Sequence, residues 1–209
     1  MARIDPSSRA IRIQGGRIKG HRKGSMSGQK VSHRVVNHDQ VVAAGREHFL
    51  QRSTLDMAAL AGEMAISRAT LYRVAGSRDA LLDDVLCELT EAMFLQARAA
   101  REHHGFDGVV EVSRHFGEQL RSPVLERFLR LEPEAASRVL FTPAGGVHRR
   151  AVAIQAEIFR EAGLTNIDHL AYLYVRMVGA FLYAEFFTGR HADFDELVPA
   201  LRALLEPAA

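Results

Sequence analysis

The chain has 209 residues, 47% apolar and 25% charged, enough to bury a sizeable core and to exclude wholesale disorder. Its single cysteine, Cys87, excludes an intramolecular disulfide framework and the usual Cys-based zinc sites, and points to the cytoplasm. The net charge of +2 conceals a segregation: residues 1–35 carry nine Lys and Arg against one acid, Asp5, a net of +8, which leaves −6 on residues 36–209.

A basic arm on an acidic body predicts a polyanionic partner, nucleic acid first and an anionic membrane surface second. The arm is rich in Gly, Ser and Arg without apolar periodicity, so a flexible tail is expected there. It lacks the apolar stretch of a secretory signal. The longest apolar run, 170–187, contains Arg176 and Glu185 and so reads as a buried helix of a soluble protein rather than a membrane span.

From residue 38 the pattern is helical. Val41, Val42, Ala44, Gly45 and Phe49 give an amphipathic helix over 38–52. Met57, Leu60, Ala61 and Met64 follow the i, i+3, i+4, i+7 rule behind Asp56, a capping residue. Ser67 opens a third short helix with Leu71, Val74 and Ala75 turned inward, closed by Gly76 and Ser77. A long helix over 78–104 carries Leu82, Val85, Leu86, Leu89 and Met93 as its stripe and would span roughly 40 Å. His103, His104 and Gly105 mark its end.

Three shorter helices are expected at 108–120, 123–131 and 133–141, punctuated by Ser122-Pro123 and by Pro133. Pro143, Gly145 and Gly146 form a loop. Val147, Ala151, Ile154 and Ile158 then share one face of a helix ending at Gly163. Thr165 and Asp168 have capping-box spacing and open the most apolar helix, 166–188, which Gly189 terminates. A last helix lies within 194–206, with Pro199 leaving its start open. The expected fold is all-α, about nine helices without a sheet.

Two short helices joined by a tight turn at Ala65 and Ile66 have the helix-turn-helix layout, whose second helix enters the DNA major groove. With Leu71, Val74 and Ala75 inward, Ser67, Arg68, Ala69, Thr70, Tyr72 and Arg73 are left at the start or on the outer face of that helix. Arginine suits guanine edges and phosphates, hydroxyls suit phosphates, and alanine permits close approach. Residues 36–80 hold five arginines and five acids, so affinity there must come from placement or from the basic arm.

The run Leu60 to Leu82, LAGEMAISRATLYRVAGSRDALL, resembles the DNA-binding domain of TetR-family repressors. The resemblance implies a phosphate contact for Arg78, where the family usually has lysine. It departs at Ala65, usually glycine, so the turn is expected to avoid a positive φ. Val74-Ala75 replaces an aromatic pair, and Asp56 replaces a threonine, keeping a cap but repelling phosphate. Further on, the stretch Arg127 to Ala136, then Tyr174-Val175-Arg176, Phe181 to Ala184 and Gly189-Arg190 resemble the ligand-binding domain of the family's QsdR-type subgroup, associated with lactone-signal degradation.

These readings imply a basic arm (1–35), a helix-turn-helix domain (36–80) and a ligand-binding and dimerisation domain (81–209). The expected partners are double-stranded operator DNA, a small-molecule effector and a second copy joined through the last two helices. An effector such as a γ-lactone or its ring-opened acid would release the operator. Arg176, set in an apolar helix, needs a partner, either a ligand oxygen or an acid such as Glu132, Glu157 or Glu185. Tyr172, Gly179 and Tyr183 share its face, and Phe94, Phe116 and Phe128 are candidate apolar walls for the same cavity. No cofactor and no metal are expected: adjacent His103 and His104 diverge by about 100°, and His115 and His148 stand singly. No nucleophile-base arrangement appears, which leaves a helical-bundle enzyme acting on lactones or acyl substrates, and a sequence-independent nucleoid-binding protein, as the competing classes.

Overall fold

The computed structural model of the chain describes residues 36–142, 145–189 and 193–205, apart from the side chains of Phe141, Glu185 and Phe187. The basic arm, Pro143 and Arg190 lie outside the described residues. Those described belong to one compact unit and contain ten helices and no strand, the expected all-α fold with one helix more than the rounded total.

The helices are α1 (His38–Arg52), α2 (Met57–Glu63), α3 (Arg68–Ala75), α4 (Arg78–Ala100), α5 (Gly105–Leu120), α6 (Pro123–Leu131), α7 (Pro133–Phe141), α8 (Gly146–Glu161), α9 (Ile167–Thr188) and α10 (Phe194–Leu205). The first four begin at side chains that satisfy the free N–H groups of a helix start. Asn37 and Gln40 form a reciprocal capping box on α1. Asp56 accepts from Ala58 and Ala59, Ser67 from Thr70 and Ser77 from Ala80.

Two apolar cores meet along α4. Leu81, Leu82, Val85 and Leu86 belong to the first, with residues of α1 to α3 and of α6 and α7; Phe49 and Phe128 meet in it edge-on at 5.2 Å. Phe94 and Ala97 belong to the second, with residues of α5, α8, α9 and α10. A single helix therefore runs from beneath the helix-turn-helix into the C-terminal bundle.

Several expected boundaries shift. α4 stops at Ala100 because Arg101 is extended (φ −66°, ψ 128°) and the Glu111 carboxylate accepts from the next two N–H groups, of Glu102 and His103, at 3.0 Å each. α9 begins at Ile167 with Asn166 in the left-handed conformation (φ 54°), so Thr165 does not cap it. Pro199 lies inside α10, forfeiting the bond to the Asp195 carbonyl, in a helix held by buried Phe194, Leu201 and Leu205. Ala65 corrects the turn expectation: its φ is 53°, so the turn adopts the left-handed form without glycine.

Gly146 docks α8 on α4. Its N–H lies 2.9 Å from both carboxylate oxygens of Asp83, and a Cβ there would fall 2.5 Å from one of them and 3.0 Å from Cys87 Sγ. Only glycine permits that approach, and an acid at a helix N-terminus complements its dipole. Burial, aided by Asp83, pushes the Cys87 thiol up to about 12, which keeps it protonated and inert.

Candidate functional site

The helix-turn-helix presents a defined face. Leu71 and Ala75 of α3 are buried, while Arg68, Ala69, Tyr72 and Arg73 are exposed, Tyr72 at 39%. The positions 68, 69, 72 and 73 follow helical spacing and form one outward stripe. Ser67 and Thr70 are partly spent on each other: Ser67 Oγ accepts from Thr70 N–H at 3.0 Å and lies 2.9 Å from Thr70 Oγ1. These two set the helix start, and the two arginines and Tyr72 supply the reach.

Behind this face lies a polar clasp that the sequence pattern did not reveal. His48, inside α1 and 1% exposed, donates from Nδ1 to Glu63 at 2.8 Å and accepts at Nε2 from the Asp56 N–H at 3.3 Å. It ties α1 to both ends of α2. The His48 hydrogen bond, with Arg52 adding to it, holds the Glu63 carboxyl below its usual range. Backbone N–H groups of Ala59 and Ala58 do the same for Asp56.

Arg78 faces inward in this structure. It donates from Nε to the Leu55 carbonyl at 2.8 Å and from Nη2 to both oxygens of Glu132 at 2.6 and 2.5 Å. Glu132 also accepts from the Thr54 hydroxyl. The side chain expected to reach phosphate thus joins the α1–α2 loop to the junction of α6 and α7.

A cavity of about 470 Å³ opens among α4, α5, α7, α8 and α9. Such a volume suits a small amphipathic molecule. Phe94 and Phe116 line it as a stacked pair, ring centres 4.3 Å apart, and Arg176, Gly179 and Tyr183 border it. Burial pushes the Tyr183 phenol well above its ordinary range, keeping it neutral. Two expected wall residues lie elsewhere. Phe128 is fully buried in the first core, and Tyr172 is 40% exposed outside the lining.

Arg176 is itself exposed on α9, which corrects the expectation of a cation sunk in an apolar helix. Its guanidinium lies 5.9 Å from the Tyr172 ring centre. Of its proposed acid partners, Glu132 serves Arg78 and Glu157 serves Arg98, while the Glu185 side chain lies outside the described residues. The apolar run of α9 covers more than its inward face, so an exposed side remains where a charge costs little.

The remaining polar lining was not anticipated from the sequence. Tyr174 donates to Ser113 Oγ at 2.8 Å, and Ser113 donates on to the Val109 carbonyl at 3.2 Å. Among the described residues, the buried side-chain polar atoms without a hydrogen-bond partner are His148 Nε2 and Gln155 Nε2, and both residues line this cavity. Their signal in the sequence is a polar pair at i and i+7 on the stripe that also carries Ala151. Two other histidines have carboxylate neighbours: His103 is 3.2 Å from Glu111, and His115 is 3.4 Å from Glu118.

Comparison with known proteins agrees with this geometry. Residues 104–206 match the model of the tetracyclin repressor-like C-terminal domain. No curated protein sequence matches the chain. The transcriptional repressor QsdR from the TetR family of R. erythropolis superposes at a TM-score of 0.73 with 26% identity, over 80% of this chain and 93% of that one. AlkX, a TetR family repressor from Dietzia sp. strain DQ12-45-1b implicated in biodegradation of n-alkanes, superposes at 0.57 with 20% identity over 81% and 97%. The multidrug binding protein EbrR, complexed with imidazole, does so at 0.57 with 18% identity over 82% and 90%. The latter two share the fold.

A helix-turn-helix continuous with a cavity-bearing helical bundle is the fold of ligand-responsive transcriptional repressors. The fold is that of TetR-family repressors, and the C-terminal half resembles that family's ligand-binding domain.

Proposed function

We propose that the chain represses transcription from a pseudo-palindromic operator as a homodimer and is released by a small amphipathic effector, with a γ-lactone or related acyl compound as the first candidate. The observation that carries this reading is the course of α4. It starts beside the recognition helix and borders the cavity at Thr90 and Phe94. A ligand that prefers one setting of α4 shifts the spacing of two recognition helices, and operator affinity falls by the difference in its affinity for the two states.

Arg68, Ala69, Tyr72 and Arg73 are the assigned groove and phosphate contacts, with Ser67 and Thr70 shaping the helix start. Arg78 is assigned to the link beneath them. The exposed side of α9, with Tyr172, Arg176, Ala180 and Ala184, and the outer side of α10 form the dimer face in this reading. The QsdR likeness supports repression and motivates the lactone. Residues 1–35 act as an auxiliary phosphate clamp.

Footprinting on the promoter next to its own gene tests the proposal. A protected inverted repeat that is lost on adding a γ-lactone is the expected result. Uniform protection independent of sequence would replace it with nucleoid binding, and turnover of the lactone would replace it with an enzyme.

A further inference from the structure

Gln155 is 1% exposed and His148 7% exposed; each keeps a buried hydrogen-bonding nitrogen unmatched, and both residues line the cavity. Buried polar groups are nearly always paired, and an unmatched one is costly. They lie seven residues apart on α8, about 10 Å along its axis. Ala151 stands between them on the same lining, and its small side chain leaves the space open. Elsewhere on the wall the polar demand of Ser113 and Tyr174 is already met. The unmet capacity is therefore concentrated on α8.

The charge of the wall narrows the ligand class. Among the described residues no carboxylate lines the cavity, and the cation there, Arg176, is on the exposed side of α9. Burial, with the charge of Arg176 adding to it, pushes His148 below its usual range and keeps its imidazole neutral. A carboxylate drawn to the depth of Gln155 would lose its hydration without an adjacent buried cation. An uncharged carbonyl oxygen accepts from the amide N–H without that penalty.

We infer that Gln155 and His148 are the polar anchors of the effector cavity and that they select an uncharged carbonyl compound with an apolar tail, Gln155 donating to the carbonyl oxygen and His148 holding a second polar group nearer the start of α8. This rests on the ligand-responsive reading above and sharpens it: an intact lactone, ketone or amide is bound in preference to the carboxylate that ring opening produces.

The test is calorimetry and thermal shift on the full chain with γ-decalactone, 2-decanone and decanamide against sodium decanoate and sodium 4-hydroxydecanoate. At least one neutral compound should bind, and each acid should bind at least about ten-fold more weakly than the best neutral one. Gln155→Leu should weaken the neutral compound about five- to ten-fold, the scale of one hydrogen bond. It should also raise the melting temperature of the ligand-free protein, because an unmatched buried amide is removed. His148→Phe provides a second, shape-conserving probe and should weaken binding less.

Tighter binding of the acids, an unchanged affinity in Gln155→Leu, or no binding by any neutral compound overturns the inference. Footprinting without ligand separates the two levels. An operator footprint with no neutral binder leaves the repressor standing and removes the anchors. Neutral binding at Gln155 without sequence-specific footprinting removes the repressor and leaves the anchors.

Discussion

Arg78 and Glu132, 54 positions apart, form a two-pronged ion pair of 2.6 and 2.5 Å that also involves the Leu55 carbonyl and the Thr54 hydroxyl. Glu132 flanks both the end of α6 and the start of α7, so one carboxylate fastens that elbow to the base of the helix-turn-helix.

The pair is only partly exposed, 31% for the Arg78 side chain and 19% for that of Glu132. Glu132→Ala is expected to cost about 1–2 kcal/mol, more than a surface bridge and less than a fully buried one. Urea unfolding of Glu132→Ala, Arg78→Ala and the double variant should give a coupling of about 1 kcal/mol. A midpoint unmoved by Glu132→Ala would show that Arg78 is held by Leu55 alone.

Ala65 carries a φ of 53° in the turn before α3. The left-handed region costs an L-residue about 1–2 kcal/mol, part of which glycine returns through its freer unfolded chain. Ala65→Gly should therefore stabilise the protein by about 0.5–1 kcal/mol. A lower urea midpoint in this variant would mean that the alanine methyl makes a packing contribution greater than its strain.

Arg68 and Arg73 stand exposed on α3 and take no part in the fold's ion pairs among the described residues. Alanine at either should leave the melting temperature unchanged and cost about 1–3 kcal/mol in operator binding if it reads a base. Competition with unrelated DNA is the measurement that matters. Equal losses on operator and random DNA would reassign that arginine to a phosphate.

Deleting residues 1–35 removes a net charge of +8. Affinity should fall and the slope of affinity against salt should become shallower, with operator preference retained. Loss of preference would move sequence reading from α3 to the arm.

Glu63 and Asp56 both have lowered pKa values, Glu63 chiefly through the His48 hydrogen bond and Asp56 through the N–H groups of Ala59 and Ala58. A depressed carboxylate contributes stability above its unfolded-state pKa, and that contribution disappears as pH falls through the folded-state value. The melting temperature should drop below about pH 5. Glu63→Gln should be less stable than the parent at pH 7 and show a shallower acid limb. Parallel acid limbs would place the loss elsewhere.

Much of the architecture was legible because helix boundaries here are written in local chemistry. Asp56, Ser67 and Ser77 are small acceptors before apolar stripes, and Pro123 and Pro133 fill first-turn positions where no donor is needed. What stayed hidden depended on contacts between distant segments. Glu111 ends α4 from α5, and nothing near Ala100 announces it. The outward stripe of α3 was readable because buried and exposed positions follow helical spacing within a single helix.

The cavity was less legible because its wall is assembled from five helices, and an aromatic at helical spacing does not disclose which side of the wall it joins. Phe94 and Phe116 reached the cavity, while Phe128 packed against Phe49. Arg176 drew notice as a charge in an apolar run, yet the residues with unmet polar capacity are a histidine and a glutamine on a more ordinary amphipathic helix.

The clamp of Asp83 on the α8 backbone has a practical reach. It fixes that helix through a main-chain amide, so the cavity-facing side chains at 148, 151 and 155 are open to exchange without touching the attachment. Under the proposed function, a library confined to those three positions would vary which compound is sensed while leaving α4 and the outward face of α3 intact. In a reporter cell such a library offers a route to sensors for new carbonyl metabolites.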